Sequence, residues 1–283
     1  MPHTQAGQPG VTPTFTGASE VGRVDCHAHI MTTRHALVAD RHSEPKHDIH
    51  VEDFLALLAL NGLSHGVLTQ PSFYGTDNSL LLDALSRYPE QLRGTAIVSP
   101  DIAEAEMAAL YASGIRGVRL NWFRRDTLPD AAGAEYQRLF TRARDAGLHV
   151  ELYVEGEKLA WLLPTIRRSG ANVVVDHFGA PEPRSGTQGA GFRALLDALA
   201  GGGTWVKLSA PYRLGGAPAA DYARALLAAG GAQRLVWGSD WPWVSHEEGQ
   251  RYAQCLSDLE AWVPDIADRT TILRDTPRAL FGF

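Results

Sequence analysis

The chain has 283 residues, of which 45% are hydrophobic and 20% charged, a composition typical of a folded protein with one or two domains. Its formal net charge is −6, from 32 acidic against 26 basic residues, and the basic residues form no block, so we expect no nucleic-acid partner. Since no apolar run approaches the roughly 20 residues of a membrane span, we expect no membrane association either.

The start of the chain differs in composition from the rest. Residues 1–20 lack the basic start and apolar core of a secretory signal, and their Gly, Pro, Thr and Gln content predicts a flexible tail. The two cysteines, Cys26 and Cys255, form no disulfide framework, which is typical of a reducing compartment. We therefore predict a cytoplasmic protein with a tail at 1–20 and one folded domain at 21–283.

Short apolar runs alternate with helical periodicity from residue 24 to the end of the chain. The predicted strands are 24–30, 64–69, 95–98, 117–121, 148–154, 173–175, 205–209 and 235–237. The predicted helices are 51–60, 78–88, 102–112, 134–146, 158–169, 192–200, 219–229, 250–262 and 276–281. A polar loop at 31–49 joins the first strand to the first helix, and loops of this length are often functional.

This alternation predicts the fold class. Strands that alternate with helices imply crossover connections and a parallel sheet. Eight such units in about 250 residues match a closed (β/α)8 TIM barrel of the α/β class, in a single domain. The alternative is an open, doubly wound sheet, but the glycine-rich dinucleotide fingerprint is missing after the first strand.

Two histidines, His27 and His29, stand at the end of the first predicted strand. Side chains alternate faces along a strand, so both imidazoles should point the same way. Two imidazoles directed into one cavity can hold a metal ion or act as hydrogen-bond donors. A lone His-x-His motif is weak evidence, and an ordinary pair of solvated histidines is the alternative at this point.

Polar residues recur at seven of the eight predicted strand ends. In strand order they are His27 and His29; Gln70 and Ser72; Arg119 and Asn121; Glu151 and Tyr153; Asp176 and His177; Lys207, Ser209 and Arg213; Ser239 and Asp240. The carboxyl ends of barrel strands surround one mouth, where the chemistry of such barrels is found. We therefore predict an active site built from these side chains.

Several of these stretches resemble the amidohydrolase superfamily, in the branch that contains lactonases and non-oxidative decarboxylases. The resemblance is carried by Asp25-Cys26-His27-Ala28-His29, Asp176-His177, Gly238-Ser239-Asp240-Trp241-Pro242 and the closing stretch 275–282. The stretches 70–78, 117–121 and 207–213 are most similar to those of dicarboxylate lactonases within that branch. The resemblance implies a hydrolase that opens the ring of a small anionic lactone, of the pyrone-dicarboxylate, muconolactone or sugar-acid type.

The resemblance also implies roles for single residues. Asp240 would be the general base, and three imidazoles would stabilise the oxyanion: His27, His29 and His177. The substrate-binding residues would be Arg119, Arg125, Arg213, Ser72 and Tyr153. For Arg125 a solvated charge cluster with its neighbours Arg124 and Asp126 is the alternative.

The resemblance implies that the site binds either no metal or one metal ion. His27, His29, His177 and Asp240 offer imidazole and carboxylate ligands that suit one zinc or manganese ion. The dicarboxylate lactonases work without a metal, so we expect no required cofactor, or one divalent ion at most. Arg119 and Asn121 stand where a bridging lysine or glutamate would support two metals, which argues against a two-metal site.

Two departures from the dicarboxylate lactonases bear on the substrate. Ala180 replaces an arginine three residues after the histidine of the sixth strand, and no tyrosine occurs between Met31 and His50. The alternative functions are a metal-dependent decarboxylase or hydratase, a lactone isomerase, and a barrel that only binds its ligand. The sequence leaves the oligomeric state open.

Overall fold

The computed structural model describes residues 22–283, so the tail predicted at 1–20 lies outside the described residues. Eight strands form one sheet in chain order, and each strand pairs in parallel with the next. They are β1 Val24–Ala28, β2 His65–Thr69, β3 Leu92–Ala96, β4 Ile115–Asn121, β5 His149–Tyr153, β6 Val173–Val175, β7 Thr204–Leu208 and β8 Leu235–Trp237. The predicted (β/α)8 barrel is confirmed.

Helices follow the strands around the barrel. They are α1 Val51–Leu60, α2 Ser79–Arg87, α3 Glu104–Ala112, α4 Ala134–Asp145, α5 Leu159–Arg167, α6 Ala190–Ala200, α7 Ala219–Gly230, α8 Tyr252–Trp262, α9 Ile266–Thr270 and α10 Thr276–Phe281. A π-helical segment, Thr271–Asp275, joins α9 to α10. No helix within residues 22–283 is both long and apolar enough to cross a bilayer.

The barrel closes between the residues that follow β8 and those at the end of β1. The backbone N–H of Asp240 donates to the carbonyl of His27 at 2.8 Å, and that of His29 donates to the carbonyl of Trp241 at 2.8 Å. These two bonds continue the sheet across its last gap. They also place Asp240 beside His27 and His29, although more than 200 residues separate them in the chain.

The sheet is buried on both faces, because helices cover its outside and side chains fill its inside. All five residues of β1 and all five of β5 are buried. Gly66 shows how closely the layers approach: a Cβ there would lie 2.4 Å from the Phe54 ring of α1. The absence of a side chain at this position lets α1 pack directly on β2.

β1 contains an irregularity that matters for the site. Its register against β2 shifts between Asp25 and Ala28. Asp25 accepts a hydrogen bond from Tyr252 of α8 on the outside of the sheet, whereas His27 reaches Lys207 in the interior. Strand irregularities of this kind redirect side chains next to active sites.

The predicted third strand was misplaced. The expectation was 95–98, and the structure pairs residues 92–96 instead. Arg93 and Gly94 are weak strand formers, but Gly94 has no room for a side chain among Leu81, Leu85 and Ile115. Packing against neighbouring elements therefore decided the start of β3, and local propensity did not.

Candidate active site

A cavity of about 120 Å³ lies at the carboxyl end of the barrel strands. Its lining residues are His29, His42, Ser43, Pro71, Ser72, Phe73, Arg119, Asn121, Phe123, Arg124, Tyr153, His177, Arg213, Asp240, Val244, Ser245 and His246. Seven of the predicted site residues are therefore brought together at its wall. His27 lies beneath this cavity, fully buried, and Arg125 lines an adjoining cavity of about 410 Å³.

Asp240 is the centre of the site, and its two carboxylate oxygens meet different partners. Oδ2 accepts hydrogen bonds from the Tyr212 hydroxyl at 2.5 Å and from Arg213 Nη2 at 3.2 Å. Oδ1 faces the Nε2 atoms of His27 and His29, each at 3.4 Å, and that of His177 at 4.0 Å. One oxygen is thus held by donors, while the other is turned toward three imidazoles.

The backbone at the strand ends is unusual. Asp240 has a φ of 58° and His177 a φ of 50°, both in the left-handed region that residues with side chains rarely adopt. Such conformations cost about 1–3 kcal/mol each and persist where the surrounding structure enforces them. Here they turn both side chains into the mouth of the barrel.

Hydrogen bonds on the far ring nitrogens orient two of the imidazoles. His29 Nδ1 lies 2.7 Å from the carbonyl oxygen of Thr69, so Nδ1 carries a proton and donates. His177 Nδ1 lies 2.8 Å from the Ser209 hydroxyl. Both contacts leave Nε2 facing Asp240, which is how the protein presents these rings to a ligand.

The electrostatics keep Asp240 ionised and the nearby His177 neutral. Burial raises the pKa of the Asp240 carboxyl, but His177 and Arg213 lower it by more, so the pKa lies well below its usual range. Burial lowers the pKa of His177 well below 6.5, against the opposing effect of Asp240. At neutral pH the site therefore presents a carboxylate and a neutral imidazole.

Four charged side chains lie below the cavity, and we call them the charged floor: Arg119, Glu151, Asp176 and Lys207. Lys207 Nζ lies 2.6 Å from Glu151 Oε2 and 3.2 Å from Asp176 Oδ1. Arg119 Nη2 lies 3.2 Å from Asp176 Oδ2, and its Nε lies 3.4 Å from Glu151 Oε1. Two cations and two anions balance, as buried charges must.

The remaining predicted substrate-binding residues occupy different places. Arg119 donates from Nη1 to the Gln70 carbonyl and still lines both cavities. Tyr153 stacks on Phe123 with ring centroids 4.5 Å apart, and its buried hydroxyl has no hydrogen-bond partner within the described chain. Burial raises the pKa of Tyr153 to about 12, so the hydroxyl stays protonated. Ser72 lines both cavities, and Arg125 is exposed.

Sequence reasoning missed several residues of this site. Tyr212, the neighbour of Arg213 in the loop after β7, contacts Asp240 directly. His42, in the loop between β1 and α1, is exposed, yet it lines both cavities. The signal for Tyr212 was its place four residues after the end of a barrel strand. For His42 no local signal distinguished it from the other histidines of the first loop.

Among the described residues, two sets could hold a metal ion, because their possible ligand atoms lie within 4.8 Å of one another. One set is His27, His177 and Asp240, and the other is His27, Glu151 and Asp176. A histidine that binds a metal must present a bare ring nitrogen. His27 does not fit, because Lys207 Nζ lies 3.1 Å from its Nδ1 and occupies that lone pair. In the second group the Lys207 ammonium already contacts all three residues.

Comparison with known proteins gives consistent results. The sequence profile of the amidohydrolase family (Amidohydro_2, "Amidohydrolase") matches residues 24–283. A 4-sulfomuconolactone hydrolase of Rhizobium radiobacter is 29% identical over 303 residues, covering 100% of this chain and 99% of its own. A 2-pyrone-4,6-dicarboxylate hydrolase of Comamonas testosteroni is 28% identical over 279 residues, covering 92% of this chain and 90% of its own.

The architecture also matches solved structures. A crystal structure from Pseudomonas putida, described as that of a candidate 2-pyrone-4,6-dicarboxylic acid hydrolase, is 40% identical with a TM-score of 0.87. The match covers 93% of this chain and 98% of that one. The similarity therefore extends over the whole barrel and includes the elements that carry the site.

Proposed function

The chain belongs to the amidohydrolase family, and from this premise we propose that it hydrolyses the ring ester of a small anionic lactone. The observation that carries the proposal is the position of Asp240: an ionised carboxylate with one oxygen facing three imidazoles at the end of a cavity. The hydrolase names of the full-length relatives support the same reaction class.

In the proposed reaction Asp240 takes a proton from water, and the hydroxide attacks the lactone carbonyl carbon. His27, His29 and His177 stabilise the tetrahedral oxyanion. Asp240 then returns the proton to the ring oxygen as the carbon–oxygen bond breaks. One water is consumed, one hydroxyl and one carboxylic acid are formed, and the acid ionises by releasing its proton to solvent. An activated ester suits this site, because a carboxylate whose pKa is low is a weak base.

Positive side chains would bind the anionic groups of the substrate. Arg213 and Arg119 line the inner cavity, and Arg125 lines the adjoining one together with Arg124. Guanidinium groups match carboxylates with two parallel hydrogen bonds. We assign Ser72 and Tyr153 as further contacts, since Ser72 lines both cavities and the Tyr153 hydroxyl is free to donate.

The proposed site works without a required metal. Among the described residues, His27, His177 and Asp240 have ligand atoms within 4.8 Å of one another, and an ion held there would polarise the carbonyl. The contact of His27 with Lys207 supports the alternative in which His27 itself donates to the oxyanion from Nε2. Removal of divalent ions is then expected to leave the rate unchanged.

The test is a panel of lactones, each assayed with and without a chelator. The panel contains a pyrone dicarboxylate, a muconolactone, a sugar-acid lactone and an uncharged lactone of the same ring size. Hydrolysis of an anionic member, with one oxygen from labelled water in the new carboxylate, supports the proposal. Release of carbon dioxide, an isomerised lactone without incorporated label, or turnover only after zinc or manganese is added contradicts it.

A further inference from the structure

Lys207 contacts a residue of the proposed site from below. Its fully buried Nζ lies 2.6 Å from Glu151 Oε2 and 3.1 Å from His27 Nδ1, both with hydrogen-bond geometry. Asp176 Oδ1 is 3.2 Å from the same Nζ and 3.3 Å from His27 Nδ1, yet it forms no hydrogen bond within residues 22–283. Because only the lysine has hydrogen-bond geometry to His27 Nδ1, we assign the bond on that nitrogen to Lys207.

The direction of this bond follows from the charge of the lysine. Lys207 Nζ lies 2.6 Å from one carboxylate oxygen of Glu151 and 3.2 Å from one of Asp176, and two carboxylates this close favour the charged amine. An ammonium has three donors and no acceptor. His27 Nδ1 must then be the acceptor, and it carries no proton.

The same bond also determines the protonation of the other ring nitrogen, Nε2. An imidazole whose Nδ1 accepts a hydrogen bond from an ammonium carries no proton on that atom, so the ring is neutral. A neutral imidazole has one N–H, and with a bare Nδ1 that proton is on Nε2. His27 Nε2 faces Asp240 Oδ1 at 3.4 Å, where the site meets the cavity.

We propose that Lys207 is a positioning residue that fixes His27 as the Nε2–H tautomer, so that His27 enters the site as a hydrogen-bond donor and is unavailable as a metal ligand. The role of that donor in hydrolysis rests on the proposed function; the tautomer does not. Metal-bound histidines usually donate Nδ1–H to a carboxylate. Asp176 lies close enough to accept such a bond from His27 Nδ1, but the bond from Lys207 to Nδ1 prevents it.

The direct test is nitrogen NMR of the ligand-free protein labelled with 15N-histidine at neutral pH. The chain has 11 histidines, and the signals lost in a His27→Asn variant assign His27. We expect Nδ1 to resonate as an unprotonated ring nitrogen and Nε2 as a protonated one. The opposite assignment, with a proton on Nδ1, overturns the proposal without reference to any activity.

A variant tests the cause. Lys207→Met alone leaves the two buried carboxylates of the charged floor with one cation, Arg119. The double variant Lys207→Met/Glu151→Gln is therefore made as well, because it keeps one cation and one anion. With the ammonium gone, His27 should move its proton to Nδ1 and donate to Asp176, and zinc alone should bind at least about tenfold more tightly in titration. Lys158→Met, at a partly exposed ion pair with Glu155, should leave both the tautomer and zinc binding unchanged.

The kinetic readout separates positioning from general damage. The double variant should lose about 100-fold in kcat, as expected when one oxyanion donor is removed, with KM nearly unchanged. An unchanged tautomer in the folded double variant contradicts the proposal, and if neither variant folds the spectrum of the native protein decides. A native protein with the expected tautomer but no lactonase activity would overturn the proposed function alone.

Discussion

At the scale of single residues, the main property of the site is that the two carboxylate oxygens of Asp240 have different neighbours. Oδ2 is held by Tyr212 and Arg213, which fix the side chain and keep it ionised. Oδ1 faces the three imidazoles. In the proposed reaction, a carboxylate that is held at one oxygen can take and return a proton at the other without moving.

Replacement of Asp240 by asparagine tests the base directly. Asp240→Asn keeps the shape but cannot accept a proton, so we expect kcat to fall by about a thousandfold. The thermal midpoint and the circular dichroism spectrum of the variant show whether the fold is intact. A folded variant that retains a large share of the activity would exclude Asp240 as the base.

Tyr212 acts on the same carboxylate from the opposite side. A hydrogen bond to an ionised carboxylate lowers its pKa, so Tyr212→Phe should raise the pKa of Asp240 and move the acid limb of the rate profile upward by about one pH unit. Tyr222→Phe is the matched control, because the Tyr222 hydroxyl is buried and has no hydrogen-bond partner in the described part of the chain. Equal pH profiles for both variants would show that Tyr212 does not tune the base.

At the scale of elements, the barrel strands deliver their polar side chains at two depths. His29, Arg213 and Asp240 reach the cavity, whereas Glu151 of β5 and Lys207 of β7 lie beneath it in the charged floor. The register shift in β1 and the closure of β8 on β1 set the position of Asp240 relative to the imidazoles. Asp25 strengthens this closure, since it accepts bonds from the backbone N–H and the hydroxyl of Ser239.

Arg119 both lines the cavity and forms part of the charged floor, so its removal should affect both substrate binding and stability. Arg119→Met leaves Glu151 and Asp176 with one cation fewer, which should cost about 3 to 5 kcal/mol of unfolding free energy. It should also raise KM if Arg119 binds substrate. Arg125→Met, at an exposed position, should change stability by no more than about 0.5 kcal/mol.

Denaturant titration and steady-state kinetics on the two variants separate the roles. A higher KM in both, with a stability loss only for Arg119, fits the assignment of both arginines to the substrate. An unchanged KM in Arg125→Met would favour the solvated charge cluster. A stable Arg119→Met variant would show that the charged floor does not depend on this guanidinium.

At the scale of the whole molecule, buried neutral histidines link stability to pH. The folded pKa of His27 is about 4 against 6.5 for the free side chain. Its depressed value means that the associated stability is present above pH 6.5 and is lost as the pH falls toward 4, where the unfolded chain binds a proton that the folded one does not.

Comparison with a variant isolates this effect from the other groups that titrate. The unfolding free energy of the native protein, minus that of His27→Gln, should fall by about 1.4 kcal/mol for each pH unit between 6.5 and 4. Denaturation curves at several pH values in that window measure it. A difference that stays constant with pH would show that His27 is protonated in the fold.

Local patterns were sufficient to find the eight strands and every α-helix except α9, because helices and strands have different hydrophobic periods. Val51–Leu60, Val173–Val175 and Leu235–Trp237 were predicted with the bounds that the structure has. The start of β3 and the π-helical segment before α10 were not predicted, since both depend on packing against elements distant in the sequence. The catalytic and binding roles of single residues stay predictions until the variants are measured.

The sequence by itself determined the barrel and the set of side chains at its strand ends, because eight strand-and-helix units leave few ways to bury a parallel sheet. Only the tertiary structure decided which partner each polar group has. Lys207 lies under His27, and Arg119 is shared between the cavity and the charged floor, through contacts that span up to 180 residues. A charge or a tautomer depends on neighbours a few ångströms away, and those neighbours are defined only once the barrel has closed.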